Sequence, residues 1–310
     1  MLEIFNITFN QLAILFIFLA IGFILKKLKI VHDTLSNVLS SLEVIVFLPA
    51  LCFNTFSQNV SVATINSKLP YFLYGVAILA VTFVMSIGLT KLLAKDNNTR
   101  DVYLYALTIP NIGYLGYPLI NALYGEEMLS NTMLFCLPMN LFIYTAGIYI
   151  LCPKDNYKFS LKKLLNPTMV MTFLGIIVGL TGLKMPQIVT SVSASASACM
   201  APIAMIMTGF VLAKIPFKAM INNYKTYIVS ALRLLIIPGL ILAGMLLIKA
   251  DPKITLIAAG IYAMPLGLNV VVFPEAYGGD SKTGAQSCLV SYVLCILTIP
   301  LVFSVISYFV

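Results

Sequence analysis

Two short segments of the chain combine proline, glycine and asparagine inside otherwise apolar stretches. The first reads Pro110-Asn111-Ile112-Gly113, and the second reads Pro265-Leu266-Gly267-Leu268-Asn269. Proline removes a helical hydrogen bond and clashes with the preceding turn, and glycine loosens the backbone further. Each segment therefore predicts a broken helix. Within a membrane, the backbone groups that such a break releases need protein partners or a cavity.

The two breaks together predict one binding site. The N-terminal ends of half-helices carry free N–H groups and partial positive charge, so two converging ends favour an anionic group between them. Asn111 is placed to cap the second half-helix of its segment. Paired interruptions in the two halves of a chain are typical of a transport site. The alternative is that Asn111 and Asn269 satisfy only the local backbone, because proline and glycine are common in membrane helices.

Two ionisable residues lie inside apolar runs, where a charged group is costly and a functional candidate by default. Glu43 could carry a coupling proton or pair with a cation, or it could reach water at the nearby polar link. Arg233 could pair with Glu43 or hold a substrate carboxylate. The favoured interpretation is that the Arg233 side chain extends to the membrane interface near Lys225.

The sequence contains no arrangement typical of catalysis. Its only histidine, His32, lies in a polar link, and there is no H-E-x-x-H, G-x-S-x-G or P-loop pattern. The six cysteines lie in or beside apolar runs without a C-x-x-C pair, which favours packing roles over zinc or disulfide bonds. We therefore expect no enzymatic activity, no metal and no cofactor.

The composition of the chain places these residues in a membrane. Of 310 residues, 60% are hydrophobic and 10% are charged, whereas a soluble domain has about 25% charged residues. The mean hydropathy is +1.00. These values exclude a soluble enzyme, a nucleic-acid-binding protein and a disordered chain, even though the net charge is +8. They indicate a polytopic protein of the lipid bilayer.

Ten apolar runs separated by short polar links predict ten transmembrane helices. The runs cover about 9–28, 35–56, 69–93, 102–123, 128–151, 167–183, 187–213, 226–249, 254–277 and 284–309. Of the 19 Lys and Arg residues, fourteen lie in links that follow odd-numbered runs and four lie in the links between. Basic residues accumulate in cytoplasmic links, so this asymmetry predicts that both termini lie outside the cytoplasm.

The chain also shows signs of duplication. Pro110 and Pro265 are 155 positions apart, as are Lys29 and Lys184, and 155 is half the chain length. The predicted organisation is a first five-helix repeat at 1–151, a short cytoplasmic linker at 152–166 and a second repeat at 167–310. Five is an odd number, so the second repeat enters the membrane in the opposite orientation, as in many secondary transporters.

Three segments resemble the signatures of the auxin efflux carrier family. They are residues 46–51 in the second run, residues 110–118 in the fourth, and residues 264–269 with 275–280 in and after the ninth. The resemblance implies a bile-acid-symporter-like fold with broken, crossing helices in the fourth and ninth runs. It also implies that Pro110, Asn111, Gly113, Pro265 and Asn269 bind the substrate, with Glu43 as a candidate coupling residue.

The function that this resemblance implies is secondary transport of small organic anions across the cell membrane. Family members carry carboxylates that are auxin-like or malate- and malonate-like. The implied mechanism is an elevator, in which runs 3–5 and 8–10 move against a scaffold of runs 1, 2, 6 and 7, and the implied assembly is a homodimer. Two alternatives stay open: a sodium-coupled organic anion symporter of the same fold, and a membrane sensor that does not transport.

Overall fold

The computed structural model describes residues 2–32, 34–151, 166–214, 216, 223–277 and 281–310. Nearly all of these residues lie in helices, which confirms the predicted all-α class. The predicted linker at 152–166 lies outside the described residues except for Asn166, whose side chain caps the helix that follows. Residues 278–280, the end of the last family-like segment, also lie outside them.

The described helices are labelled in chain order, and several of them contain a wider, π-helical turn. They are α1 (Leu2–Lys27), α2 (Leu35–Leu42, the wide turn Glu43–Phe47, then Leu48–Asn59), α3 (Ile65–Leu93), α4 (Asn97–Thr108), α5 (the wide turn Ile112–Gly116, then Tyr117–Phe142, the wide turn Ile143–Gly147 and Ile148–Leu151), α6 (Pro167–Thr181), α7 (Gln187–Ala213), α8 (Tyr224–Ala231, the wide turn Leu232–Ile236, then Ile237–Leu247), α9 (Pro252–Tyr262), α10 (Asn269–Tyr277) and α11 (Ser281–Phe309). Helix α5 has two arms, because Gly125 adopts a φ of 78° and kinks the helix there.

The length and apolar character of these helices suit a bilayer. Within the described part of the chain, α1, α3, α7, α8 and α11 are each long and apolar enough to cross a membrane. Large apolar side chains such as Ile17, Val84 and Leu297 are exposed on their outer faces, where lipid would cover them at low cost. The prediction of a multi-pass membrane protein is therefore confirmed.

Three of the four wide turns in the described chain follow from proline. The turns that end at Phe47, Gly116 and Ile236 each lie two residues before a proline, at Pro49, Pro118 and Pro238. The proline ring cannot donate a hydrogen bond and clashes with the carbonyl one turn earlier, and a π-helical turn moves that carbonyl away. The wide turn in α2 begins with Glu43, and the wide turn in α8 contains Arg233; both side chains are fully buried.

Helix packing divides the described chain into two groups. Helices α1, α2, α6 and α7 pack on one another, and α3, α4, α5, α8, α9 and α11 form most of the remainder. Glycine permits the closest crossings: a Cβ atom at Gly22 of α1 would lie 2.0 Å from the Ile206 carbonyl oxygen, and one at Gly179 of α6 would lie 2.3 Å from that of Val60. Helix α1 also packs against α11, so the groups share an interface.

Candidate functional site

Both predicted helix breaks are present, and the structure brings them together. Helix α4 ends at Thr108 and α5 begins at Ile112, while α9 ends at Tyr262 and α10 begins at Asn269. The two linking segments run antiparallel, with a bridge between Pro110 and Leu266. The Asn111 backbone N–H donates to the Pro265 carbonyl over 2.8 Å. We call this junction of four helix ends the crossover.

Asn111 caps α5, as the sequence predicts. Its Oδ1 accepts a hydrogen bond from the Tyr114 backbone N–H over 3.1 Å, and the side chain is buried. Its Nδ2 donates to the hydroxyl of Tyr292 on α11. One amide therefore closes the first turn of α5 and ties the crossover to α11, which orders the backbone that a ligand would meet.

Asn269 begins α10 and is partly buried. Its Nδ2 donates to the Tyr105 hydroxyl on α4 over 2.9 Å. The backbone carbonyl of Leu268 accepts from Val271 and Val272, so the helix starts on that carbonyl. Each crossover asparagine thus donates to a buried tyrosine on a neighbouring helix. The sequence analysis missed both tyrosines, although a tyrosine inside an apolar run signals that its hydroxyl needs a polar partner.

A small cavity of about 60 Å³ lies beside the crossover. Its lining includes four of the five predicted site residues with short segments of α2 and α5: Pro110, Asn111, Gly113, Asn269, Val44, Leu48, Asn140 and Ile143. The fifth, Pro265, is buried and does not line this cavity. A Cβ atom at Gly113 would meet nothing within 4 Å. The volume holds a few waters and is far below that of typical ligand pockets, roughly 300–1,000 Å³, so a substrate needs a more open conformation.

A larger cavity of about 240 Å³ lies one helical turn away between α1, α2, α5 and α7. Gln11, Asn121 and Ser197 give its lining some polar character. Tyr117 lines this cavity and Asn140 lines the crossover cavity, and the Asn140 Nδ2 donates to the Tyr117 hydroxyl over 3.1 Å. A single polar contact therefore joins the linings of the two cavities.

Arg233 does not extend to the membrane interface, so the favoured sequence interpretation is wrong. Its side chain is fully buried, with Nη1 donating to the Leu107 carbonyl over 2.8 Å and Nε donating to the Met264 carbonyl over 3.3 Å. Its guanidinium lies over the Tyr262 ring, 5.0 Å from the centroid. The physical reason is that carbonyl groups at the ends of α4 and α9 lack helical partners and attract a cation inside the protein.

Glu43 is also fully buried, which excludes the contact with water that the sequence left open in this conformation. Neither carboxylate oxygen has a hydrogen-bond partner among the described residues, and no ion pair joins Glu43 to Arg233. The next residue, Val44, lines the crossover cavity. An ionised carboxylate without partners is costly in such surroundings.

Comparison with known proteins identifies the family of this chain. The chain matches the family described as "Membrane transport protein" over residues 7–158 and 156–303. It is also similar to an uncharacterized transporter of Methanocaldococcus jannaschii, with 25% identity over 306 residues that cover 95% of this chain and 97% of the relative. The family match extends over almost the whole sequence, and the chain therefore belongs to this membrane transport family, that of the auxin efflux carriers.

Proposed function

We propose that the chain is a secondary transporter of small organic anions whose substrate binds at the crossover. The observation that carries the proposal is the convergence of two half-helix N-termini, at Ile112 and Asn269, beside one cavity. Free N–H groups and helix dipoles at such ends favour negative charge. Asn111 and Asn269 supply side-chain donors. The open space at Gly113 leaves room for the substrate to approach the backbone.

The charge balance around the crossover supports an anionic substrate. Arg233 is fully buried and has carbonyl groups, not carboxylates, as its hydrogen-bond partners among the described residues. Its positive charge is therefore only partly compensated. A carboxylate bound at the crossover would lower the cost of that charge, whereas a cationic substrate would raise it. We propose carboxylates that are auxin-like or malate- and malonate-like as the substrate class.

We propose that the fold is a ten-helix inverted repeat that works as an elevator. Support comes from the two helix breaks, 155 positions apart in sequence and antiparallel in space. The two helix groups provide a scaffold of α1, α2, α6 and α7 and a moving unit that carries the crossover. Sliding of that unit would carry the crossover cavity from one side of the membrane to the other.

Glu43 is the candidate coupling residue in this proposal. It lies on α2, in the scaffold, next to a residue that lines the crossover cavity. A buried carboxyl group without a partner can take up or release a proton when the surroundings open. The sodium-coupled symporter and the non-transporting sensor stay as alternative functions.

We further propose that the protein is a homodimer in the cell membrane with both termini outside the cytoplasm. The orientation rests on the distribution of Lys and Arg among the links. Single cysteines introduced at Leu2 and Asn98 test it, because an impermeant thiol reagent would reach them from opposite sides. Labelling of both from one side contradicts the orientation.

The experiment that tests the function is uptake of radiolabelled malonate, malate and indole-3-acetate into proteoliposomes of the purified protein. A transporter accumulates at least one of them and releases it on counterflow, whereas a sensor binds without net flux. The matched variant is Asn98→Ala, an exposed asparagine away from the crossover, which should transport like the unmodified protein. Binding of a carboxylate without flux would favour the sensor.

A further inference from the structure

The carbonyl ends of two helices converge on one buried side chain. Leu107 lies in the last turn of α4, and Met264 lies two residues beyond the end of α9. The last carbonyl groups of a helix have no N–H partner within the helix and carry partial negative charge. Two such helix ends close together attract a cation. The Arg233 guanidinium occupies the space between them and donates to both carbonyl groups.

Several contacts hold this guanidinium in place. Hydrogen bonds reach one carbonyl from each broken helix, and the Tyr262 ring covers its face. The Tyr262 hydroxyl lies 2.9 Å from the Thr82 hydroxyl on α3, so the ring itself is positioned. An arginine stays protonated in proteins. The positive charge at this junction is therefore permanent and cannot leave with the substrate.

Carbonyl oxygens are the ligands that a hard cation such as sodium would use. A mobile ion at the ends of α4 and α9 would have to displace the guanidinium from them. Glu43 is the only acidic residue among the fully buried polar side chains of the described chain, and it makes no ion pair with Arg233. The described crossover thus holds no carboxylate that would draw a second cation to the Arg233 position.

We propose that Arg233 is a built-in cation that occupies the position of a coupling ion at the crossover, so that the protein carries its substrate without sodium. The inference rests on the proposed function and decides between its leading form and the sodium-coupled alternative. Arg233 is a positioning residue here: it fixes the ends of α4 and α9, and through the peptide between Met264 and Pro265 it acts on the bridge to Asn111.

The first test measures cation binding without transport. In Arg233→Ala the vacated space is lined by two carbonyl groups, so millimolar guanidinium chloride should raise the melting temperature of the detergent-purified variant. The same salt should not raise that of the unmodified protein. Lys253→Ala, which removes an exposed lysine paired with Glu127, is the matched control and should not respond. Absence of any response to guanidinium or sodium in Arg233→Ala would overturn the proposal.

The second test measures malonate uptake into proteoliposomes with sodium or choline as the external cation. The unmodified protein should take up malonate equally in both, and Arg233→Lys should stay independent of sodium. Arg233→Ala should lose about ten- to a hundredfold in uptake, and guanidinium should restore part of it. Dependence of the unmodified protein on a sodium gradient would overturn the proposal.

The two tests fail in different ways. If no carboxylate is taken up by the unmodified protein, the proposed function fails, while the melting experiment still reports whether Arg233 occupies a cation position. If Arg233→Ala does not fold, Arg233→Lys and the unmodified protein carry the sodium comparison. Sodium-stimulated uptake by either of these two proteins would then contradict the proposal.

Discussion

Glu43 and Arg233 lie in comparable surroundings and are treated in opposite ways. Each lies on a wide turn a few residues before a proline, in α2 and α8, and each is fully buried. Arg233 donates to two carbonyl groups and contacts an aromatic ring. Neither oxygen of Glu43 has a hydrogen-bond partner among the described residues.

The difference indicates that Arg233 supports the structure, whereas Glu43 is a candidate for coupling. A buried cation that satisfies helix-end carbonyls stabilises one arrangement of the crossover, and its removal leaves those carbonyls unpaired. A buried carboxyl without partners stabilises nothing that the structure shows, so its persistence in the membrane suggests a role in another state. We therefore expect Arg233 to be needed for folding and transport, and Glu43 for coupling alone.

The largest effect is expected for Arg233→Met. This change leaves the Leu107 and Met264 carbonyls unpaired in an apolar interior, which should cost about 2–5 kcal/mol of stability. Thermal unfolding of the purified protein in detergent measures it, with Arg233→Lys as the charge-retaining control. If Glu43→Gln lowers the melting temperature as much as Arg233→Met does, the two residues support the fold equally, and the proposed difference between them is wrong.

The next effect is expected at the crossover that Arg233 supports. Asn111→Ala and Asn269→Ala should each reduce substrate affinity by roughly ten- to a hundredfold, the equivalent of losing one hydrogen bond to a charged group. Equilibrium binding of the transported carboxylate and initial uptake rates measure this loss, and Asn98→Ala serves as the control.

Removal of the tyrosine partners separates substrate contact from support. Tyr292→Phe and Tyr105→Phe delete only the hydroxyl groups to which the two asparagines donate. The two phenylalanine variants should bind the substrate more tightly than Asn111→Ala and Asn269→Ala do. Equal losses in both sets would mean that the asparagines act only by ordering the crossover.

The smallest effect on stability is expected for Glu43→Gln. The amide has the shape of the carboxyl group and needs no proton, so the melting temperature should change little and substrate binding should persist. If Glu43 carries the coupling proton, uptake should lose its dependence on a pH gradient. Uptake that follows the gradient as strongly as in the unmodified protein would reduce Glu43 to a packing residue.

The sequence predicted the elements of the crossover because they have local causes. Proline and glycine close together in sequence weaken a helix locally, and Asn111 lies at the capping position that the break creates. The wide turns in α2 and α8 could also have been inferred from Pro49 and Pro238, since a proline disturbs the turn before it.

The partners at the crossover could not be predicted in the same way. Arg233 lies 126 positions from Leu107 and 31 from Met264, so its hydrogen bonds exist only after the helices have packed. Arg233 lies only eight positions after Lys225, so a side chain that reaches the membrane interface was the simpler interpretation. A long basic side chain near a helix end often reaches water. In the folded protein, the partial negative charge at the ends of α4 and α9 outweighs the preference of the Arg233 side chain for the interface.

Protection of a cysteine at position 113 tests the central claim most directly. A Cβ atom at Gly113 meets nothing within 4 Å, so Gly113→Cys should fit at the crossover cavity without displacing a neighbour. In a background without the native cysteines, a transported carboxylate should slow the reaction of this thiol with a small reagent. The carboxylate should not change the reaction rate of a cysteine that replaces Asn98. Equal labelling of Gly113→Cys with and without saturating substrate would place the binding site away from the crossover and contradict the account.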